Sequence, residues 1–361
     1  MRVGQKFHNN QMTALPTSLP PLEPAPGPVL AEPLPATRPV GWGILATGKI
    51  ANAFAQNLAL LPEARLVAVG ARRLESAQAF SKRYDATAAY GSYQQLVEDP
   101  AVDVVYVASP HALHHEHVML AFEAGKPVLC EKALTINAGQ AEHLVAEARE
   151  RRLFFMEAMW MRCNPLIRRL QQLLATGELG SVQQVRADLG FVVDTPATDR
   201  LLAPELGGGA LLDIGIYPLT FAHLFLGQPD SVAAAAALSE LGVDLNIALS
   251  LAYRTGAVAA LTASMTAWSP RTASVATEVG RFDIPAAFHE PTTATWTSDG
   301  HTEALTEEVI GTGLANEALE VIRCLRAGET ESALVPHEES VALMRLMDRI
   351  RADVGVRYPG E

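Results

Sequence analysis

The chain has 361 residues, of which 49% are hydrophobic and 19% charged, and its net charge is −12. That length supports two domains with ample core. The acidic balance, with no block of Lys and Arg to track a phosphate backbone, disfavours nucleic acid as a partner and favours a small molecule. No apolar run is expected to reach the ~18 residues of a membrane helix. Three scattered cysteines, Cys130, Cys163 and Cys324, imply free thiols in a reducing compartment, and a cytoplasmic location is expected.

Residues 1–39 hold nine of the 23 prolines, which excludes helix and sheet and predicts an extended or disordered leader. Arg2 and Lys6 are followed by no hydrophobic segment, so a signal peptide is not expected. From Val40 the pattern alternates. Trp42 to Ala46 reads as a buried strand and breaks at Thr47-Gly48 into a helical pattern carrying Ile50, Phe54 and Leu58. Further strands are predicted at Arg65–Ala71, Asp103–Ala108, Pro127–Cys130 and Leu153–Met156, with helices at Glu75–Tyr84, His114–Glu123 and Asn137–Glu150. Near-continuously apolar strands between helices predict a doubly wound parallel sheet over residues 40–158. Residues 159–361 change character. Alternating strands at Val182–Val193, Val232–Ser239, Val243–Tyr253, Ala257–Ser264 and Thr272–Val279 predict a mainly antiparallel sheet with one open face. Helices are expected at Ala210–Phe225, Leu314–Ala327 and His337–Arg351.

The strand–turn–helix at the start of this pattern presents free N–H groups and a positive helix end to a pyrophosphate. Its fingerprint is Ala46-x-Gly48-x-x-Ala51, so Ala46, Thr47, Gly48, Lys49 and Ile50 are expected to cradle a dinucleotide. After the second strand stand Gly70-Ala71-Arg72-Arg73, with no acid to bind a ribose diol and two guanidinium groups suited to a 2′-phosphate, so NADP is preferred over NAD. Glu131-Lys132 follows a strand at the carboxyl edge of the sheet, where a desolvated lysine can exchange a proton with a substrate hydroxyl. Asp213 and Tyr217 sit at i and i+4 on a predicted helix, so both project from one face, and Pro218 is expected to kink it. His111, His114, His115 and His117 match no zinc signature, and no metal site is predicted. His114 is expected to line the cofactor cleft and His115 and His117 to be surface residues.

Five segments then coincide in order: WGILATGKIA at 42–51, ASPHALHHEH at 108–117, GKPVLCEKALTINA at 125–138, MEAMWMRCNP at 156–165 and LGGGALLDIGIYP at 206–218. With them the chain resembles the Gfo/Idh/MocA oxidoreductases, and most the dimeric dihydrodiol dehydrogenase and glucose–fructose oxidoreductase branch. The resemblance spans about residues 40–355. It implies a Rossmann domain followed by an α/β domain whose open sheet packs on a second subunit as homodimer or homotetramer. It also implies NAD(P)-dependent hydride transfer to or from a sugar, cyclitol or cyclic diol. Lys132 resembles the family's catalytic lysine, and Asp213 and Tyr217 its helical pair, with Tyr217 as proton donor. Ser109, Pro110, His111, His114 and Glu131 fall on the cofactor cleft. Trp160 and Arg162 resemble residues lining its nicotinamide end, and Trp160 also faces substrate. Departures are Ala46 for a fingerprint Gly, expected to be mild, and Ala133 for a proline, expected to loosen the loop of Lys132. His111 stands where Asn is frequent, and Cys163-Asn164, in place of an aromatic–aliphatic pair, is expected to reshape the substrate pocket. The alternative reading is a dinucleotide-sensing regulatory protein without catalysis. Retention of Lys132, Asp213 and Tyr217 together favours the enzyme.

Overall fold

Apolar strands that alternate with helices build the first layer, β1 (Val40–Leu45), β2 (Ala64–Gly70), β3 (Ala88–Tyr90), β4 (Val104–Val107), β5 (Val128–Glu131) and β6 (Phe155–Ala158). The helices between them are α1 (Lys49–Leu58), α2 (Leu74–Tyr84), α3 (Tyr93–Glu98), α4 (His114–Glu123) and α5 (Ala138–Arg151). In this computed structural model, which describes residues 14–16 and 32–361, the strands pair in parallel in the order β3-β2-β1-β4-β5-β6. Strand order reverses between β1 and β4, and that switch point opens the crevice in which such sheets bind ligands. The predicted strands and helices of this half lie within about two residues of those observed, as pattern reading allows. β3 and α3, too short to show a period, were not anticipated. Most of the predicted leader lies outside the described residues. Of its described residues, Leu15 is buried and its N–H donates to Glu303 at 3.3 Å, and the Leu34 N–H donates to Leu325 O at 3.0 Å.

The second half opens with α6 (Pro165–Ala175) and β7 (Val182–Gly190), followed by α7 (Ile216–Leu226), β8 (Ser231–Leu238), β9 (Asp244–Ala252) and β10 (Val258–Ser264). β11 (Ala273–Thr277), β12 (Arg281–Ile284), β13 (Thr293–Ser298) and β14 (His301–Thr306) complete an eight-stranded sheet in the order β14-β13-β12-β11-β7-β10-β9-β8. Only β7 and β10 run parallel; every other pair is antiparallel, as the alternation predicts. One face packs on α7, and the other leaves Ala235, Ala248, Ala260 and Thr262 exposed. α8 (Leu314–Ala327) and α9 (His337–Val354) return to the first half and pack on α1 and α5.

Two expectations are corrected here. The helical run Pro204–Leu226 has the length and mean hydropathy, 1.4, of a membrane span, contrary to the expectation that no such run exists; 78% of its most apolar window is buried inside the protein, so it serves as a core helix. Ala46 was expected to replace the fingerprint glycine mildly, yet its φ is +77°. That left-handed conformation brings a side chain's Cβ against the following carbonyl and costs about 1–2 kcal/mol for any residue but glycine. Ala46→Gly should therefore raise the unfolding free energy by about 1 kcal/mol, part of the relief being offset by glycine's freedom in the unfolded chain. Urea titration of both proteins checks this, and a lower midpoint for the glycine variant would contradict it.

Candidate active site

The glycine turn ends β1 and delivers α1 with Gly48 at its N-cap. Among the described residues no side chain caps that helix, which leaves its first N–H groups unclaimed by them. A Cβ built on Gly48 meets nothing within 4 Å, and Gly48 and Lys49 are exposed. Open space in front of free N–H donors at a positive helix end is what a pyrophosphate requires. At the end of β2 both Arg72 and Arg73 are exposed. Arg73 donates to Ser76 at 3.3 Å, whereas Arg72 forms no ion pair among the described residues and lies near Tyr93 and His117, on which its charge acts. These residues fit a bound dinucleotide phosphate.

Across the crevice, Lys132 leaves the end of β5 and its side chain is largely buried. Nζ donates to the main-chain oxygen of Asp213 at 2.5 Å, lies 3.5 Å from the Asp213 carboxylate, and sits 5.0 Å from the centre of the Tyr217 ring. The Lys132–Ala133 peptide is cis although proline is absent. Asp213 lies in a single π-helical turn, Leu211–Gly215, that runs into α7. The expected disturbance near Pro218 thus takes the form of a widened turn just upstream, a device found repeatedly at functional sites. Tyr217 follows in the first turn of α7, buried, and its hydroxyl accepts a hydrogen bond from the Trp160 indole at 2.7 Å.

The charges here are uneven. Burial alone would push the Asp213 carboxyl up, but Lys132 and Arg200 outweigh it and hold the group well below the usual carboxylate range. Arg200, from the loop after β7, donates to Asp213 Oδ1 at 2.9 Å and leaves about half of its side chain, 49%, exposed. Burial raises the Tyr217 phenol far above its ordinary value despite the Trp160 N–H, so the proton stays on oxygen at neutral pH. Burial also raises the Glu131 carboxyl, against the pull of Lys132 and the O–H of Tyr106 that donates to it.

Several predicted residues go elsewhere. His111 Nδ1 lies 2.9 Å from Gly207 O and Nε2 3.2 Å from Lys132 O. It ties the triple-glycine turn to the lysine loop. His114, expected to line the cleft, is fully buried, with Nε2 2.8 Å from Ser109 O and Nδ1 3.0 Å from Ala133 O. Burial lowers His111 to about 4 and His114 to about 3. Each neutral ring carries one N–H between carbonyl oxygens, so one contact in each is made without a donor. His117, expected at the surface, is buried against the Ser109 hydroxyl at 2.9 Å, and Pro110 leads into a short 3-10 turn at His111–Leu113. Arg162 does not line the cleft: it donates to Leu334 O at 2.8 Å and pairs with Glu339 of α9. Asn164 donates to Pro291 O at 2.9 Å. It caps α6, accepting from Leu166 N at 2.9 Å and Ile167 N at 3.1 Å, while Cys163 is a buried free thiol. Sequence reading missed Arg200, which no motif marks. It also missed His289, from the β12–β13 connection, whose ring lies 5.0 Å from that of Tyr217 and 5.9 Å from that of Trp160. A histidine five residues beyond an unrecognised strand offered no signal.

Fold and cleft together are those of a dinucleotide-dependent oxidoreductase. Residues 40–159 match the NAD-binding Rossmann fold of the Gfo/Idh/MocA oxidoreductase family, and residues 167–283 match a C-terminal domain of the same family. The chain belongs to the Gfo/Idh/MocA family and is an NAD(P)-dependent oxidoreductase acting on CH–OH groups. It is 38% identical over 331 residues to trans-1,2-dihydrobenzene-1,2-diol dehydrogenase of Homo sapiens, covering 88% of this chain and 98% of that protein. The Xenopus tropicalis protein of the same name is 37% identical over 328 residues, covering 88% and 99%. Among solved structures, a 3-ketoreductase from Actinomadura kijaniata in complex with NADP and TDP-benzene superposes with a TM-score of 0.79 at 29% identity, covering 88% and 98%. An aldose–aldose oxidoreductase from Caulobacter crescentus, at 23% identity and a TM-score of 0.80 over 88% of this chain and 98% of that one, shares the fold.

Proposed function

We propose that the protein oxidises a secondary hydroxyl, or reduces the corresponding carbonyl, on a sugar, cyclitol or cyclic diol, with NADP preferred over NAD. The observation that carries this is the convergence of Lys132 with Asp213, 81 residues further along the chain, and with Tyr217 one helical turn beyond it, at the carboxyl edge of the dinucleotide sheet. A bound nicotinamide supplies the hydride exchange. The chain's own part is the proton. Lys132, held by the Asp213 main chain, donates to or accepts from the reacting oxygen, and the protonated Tyr217 phenol, set by Trp160, is the second hydrogen-bonding group for that oxygen. Asp213, kept ionised by Lys132 and Arg200, orients the amine and accepts from a neighbouring substrate hydroxyl. A site built to pair several hydroxyls rejects analogues that lack them. Arg72, exposed and without an ion-pair partner among the described residues, supports the NADP preference. A catalytically silent dinucleotide sensor is disfavoured because a buried amine, carboxylate and phenol are costly to assemble without use. Three buried free thiols support a cytoplasmic location.

Purified protein assayed with NADP and NAD against sugars, cyclitols and cyclic diols, followed by nicotinamide absorbance, tests the reading. Turnover on at least one class with a higher kcat/KM for NADP is expected, and silence across the panel would overturn it. Lys132→Met should lower kcat by about 10²–10⁴ while NADPH binding, read by fluorescence, is retained; full turnover in that variant would remove the amine from the mechanism. The exposed face of small side chains, Ala235, Ala248, Ala260 and Thr262, is proposed to bury itself against a second copy. Sedimentation equilibrium should return a dimer or tetramer, and a monomer at micromolar concentration would rule out that packing.

A further inference from the structure

We propose that Asp244, at the start of β9, is a positioning residue that sets the π-helical turn carrying Asp213, and through it the Lys132 amine. The inference rests on the catalytic reading of Lys132 given above. Asp244 touches none of the three groups in that set. It is fully buried, and its Oδ2 accepts from Leu211 N at 2.7 Å. Leu211 opens the π-helical turn, and two residues later the main-chain oxygen of Asp213 receives Lys132 Nζ at 2.5 Å. The amine is therefore aimed by backbone, and any shift of the turn moves its acceptor.

The other carboxylate oxygen explains why a glycine stands two residues before the turn. Among the described residues Asp244 Oδ1 has no hydrogen-bond partner, and a Cβ built on Gly209 would stand 2.5 Å from it. Gly209, at φ +121°, brings bare backbone against a buried carboxylate that no other residue would leave room for. The two glycines before it are held from other sides. Tyr358 O–H donates to Gly208 O at 2.7 Å, and His111 bridges Gly207 O and Lys132 O. Of these three holds, Asp244 is the one that uses a carboxyl buried away from water, and burial pushes that group up to about 6. A carboxylate placed so expensively for one N–H marks that N–H as one whose position matters.

The test compares Asp244→Asn, whose amide oxygen still accepts from Leu211, with Asp244→Ala, which removes the acceptor. Wild-type turnover on a panel substrate is established first, so that failure of the functional reading is seen separately. Turnover is expressed per NADP-binding site, which corrects for any misfolded fraction. We expect Asp244→Ala to lower kcat at least about tenfold, the loss that a buried hydrogen bond and a displaced acceptor imply, with the KM for NADP unchanged. Asp244→Asn should retain most of kcat. Equal kcat for wild type and the alanine variant, even with a lower melting temperature, would reduce Asp244 to a purely structural role and sink the inference. Should the alanine variant not fold, Gly209→Ala displaces the same carboxylate from its Oδ1 side, with loss of kcat at constant KM for NADP expected and an unchanged kcat decisive against it. A readout free of substrate uses the five lysines of the chain, reductively methylated with ¹³C. The Lys132 resonance, assigned with Lys132→Met, should move in whichever of the alanine variants folds and stay in place in Asp244→Asn; a Lys132 signal unmoved in the alanine variant contradicts the proposal whatever the substrate.

Discussion

The hydrogen bond from the Lys132 ammonium to the main-chain oxygen of Asp213 joins the two halves of this protein at the proposed site. The donor leaves the end of a strand in the parallel sheet, and the acceptor sits at the entry to a core helix of the second domain. An ammonium with 13% of its side chain exposed must recover what it loses on leaving water. A carbonyl dipole at contact distance, a carboxylate at 3.5 Å and an aromatic face at 5.0 Å together do so. The carboxylate in turn has Arg200 as a second cation, so neither charge is stranded. The rest of the local structure serves this arrangement: the histidine bridge from the glycine turn to the lysine loop, the indole that fixes the phenol, and the packing of α8 and α9 back on the dinucleotide half.

That the acceptor is backbone rather than side chain has a structural cause. An uninterrupted α-helix commits its interior carbonyls to the residue four places on, leaving none for an outside donor. The turn at Leu211–Gly215 is widened, and Pro218 three residues later has no N–H to donate. A helix so interrupted has carbonyl capacity to spare. The lysine uses it at Asp213. The same irregularity places the Asp213 carboxylate and the Tyr217 ring around one amine, closer together in function than their i and i+4 spacing on a regular helix describes.

What could be read from the sequence follows physical signal strength. Strands β1, β2, β4 and β5 were legible because each is buried on both faces and so nearly all apolar. β12 to β14 were not, since runs such as Thr293–Ser298 alternate Thr and Ser with Ala and Trp and resemble loop composition. α6 carried a usable signal that went unread: Asn164-Pro165 is a cap followed by a helix-opening proline, with Leu166, Ile167, Leu170 and Leu173 on one face. Lys132, Asp213 and Tyr217 were legible as residue types at a sheet edge and on a helix face. The partners that tune them were not, because Arg200 and His289 lie on connections where no period operates. His114 and Arg162 show the opposite failure. Polar residues inside a motif were assigned to the cleft, whereas each is spent on main-chain or ion-pair contacts that the fold requires.

The misplaced residues form a pattern. His111, His114 and His117, with Ser109, make up a buried polar layer beneath the crevice, and every hydrogen bond they form holds a loop: residues 109, 132 to 134, and 207. None of these loops belongs to a ladder or helix that would fix it by its own hydrogen bonds. A cleft built from loop ends needs rigid cross-links to keep its groups within a fraction of an ångström, and each neutral imidazole of His111 and His114 donates its one N–H to one main-chain oxygen and rests its other ring edge against a second. Polar residues concentrated in a motif next to a glycine turn can therefore indicate where the chain must be tied down as readily as where a ligand is touched. Three of the four histidines in this motif, His111, His114 and His117, tie in this way.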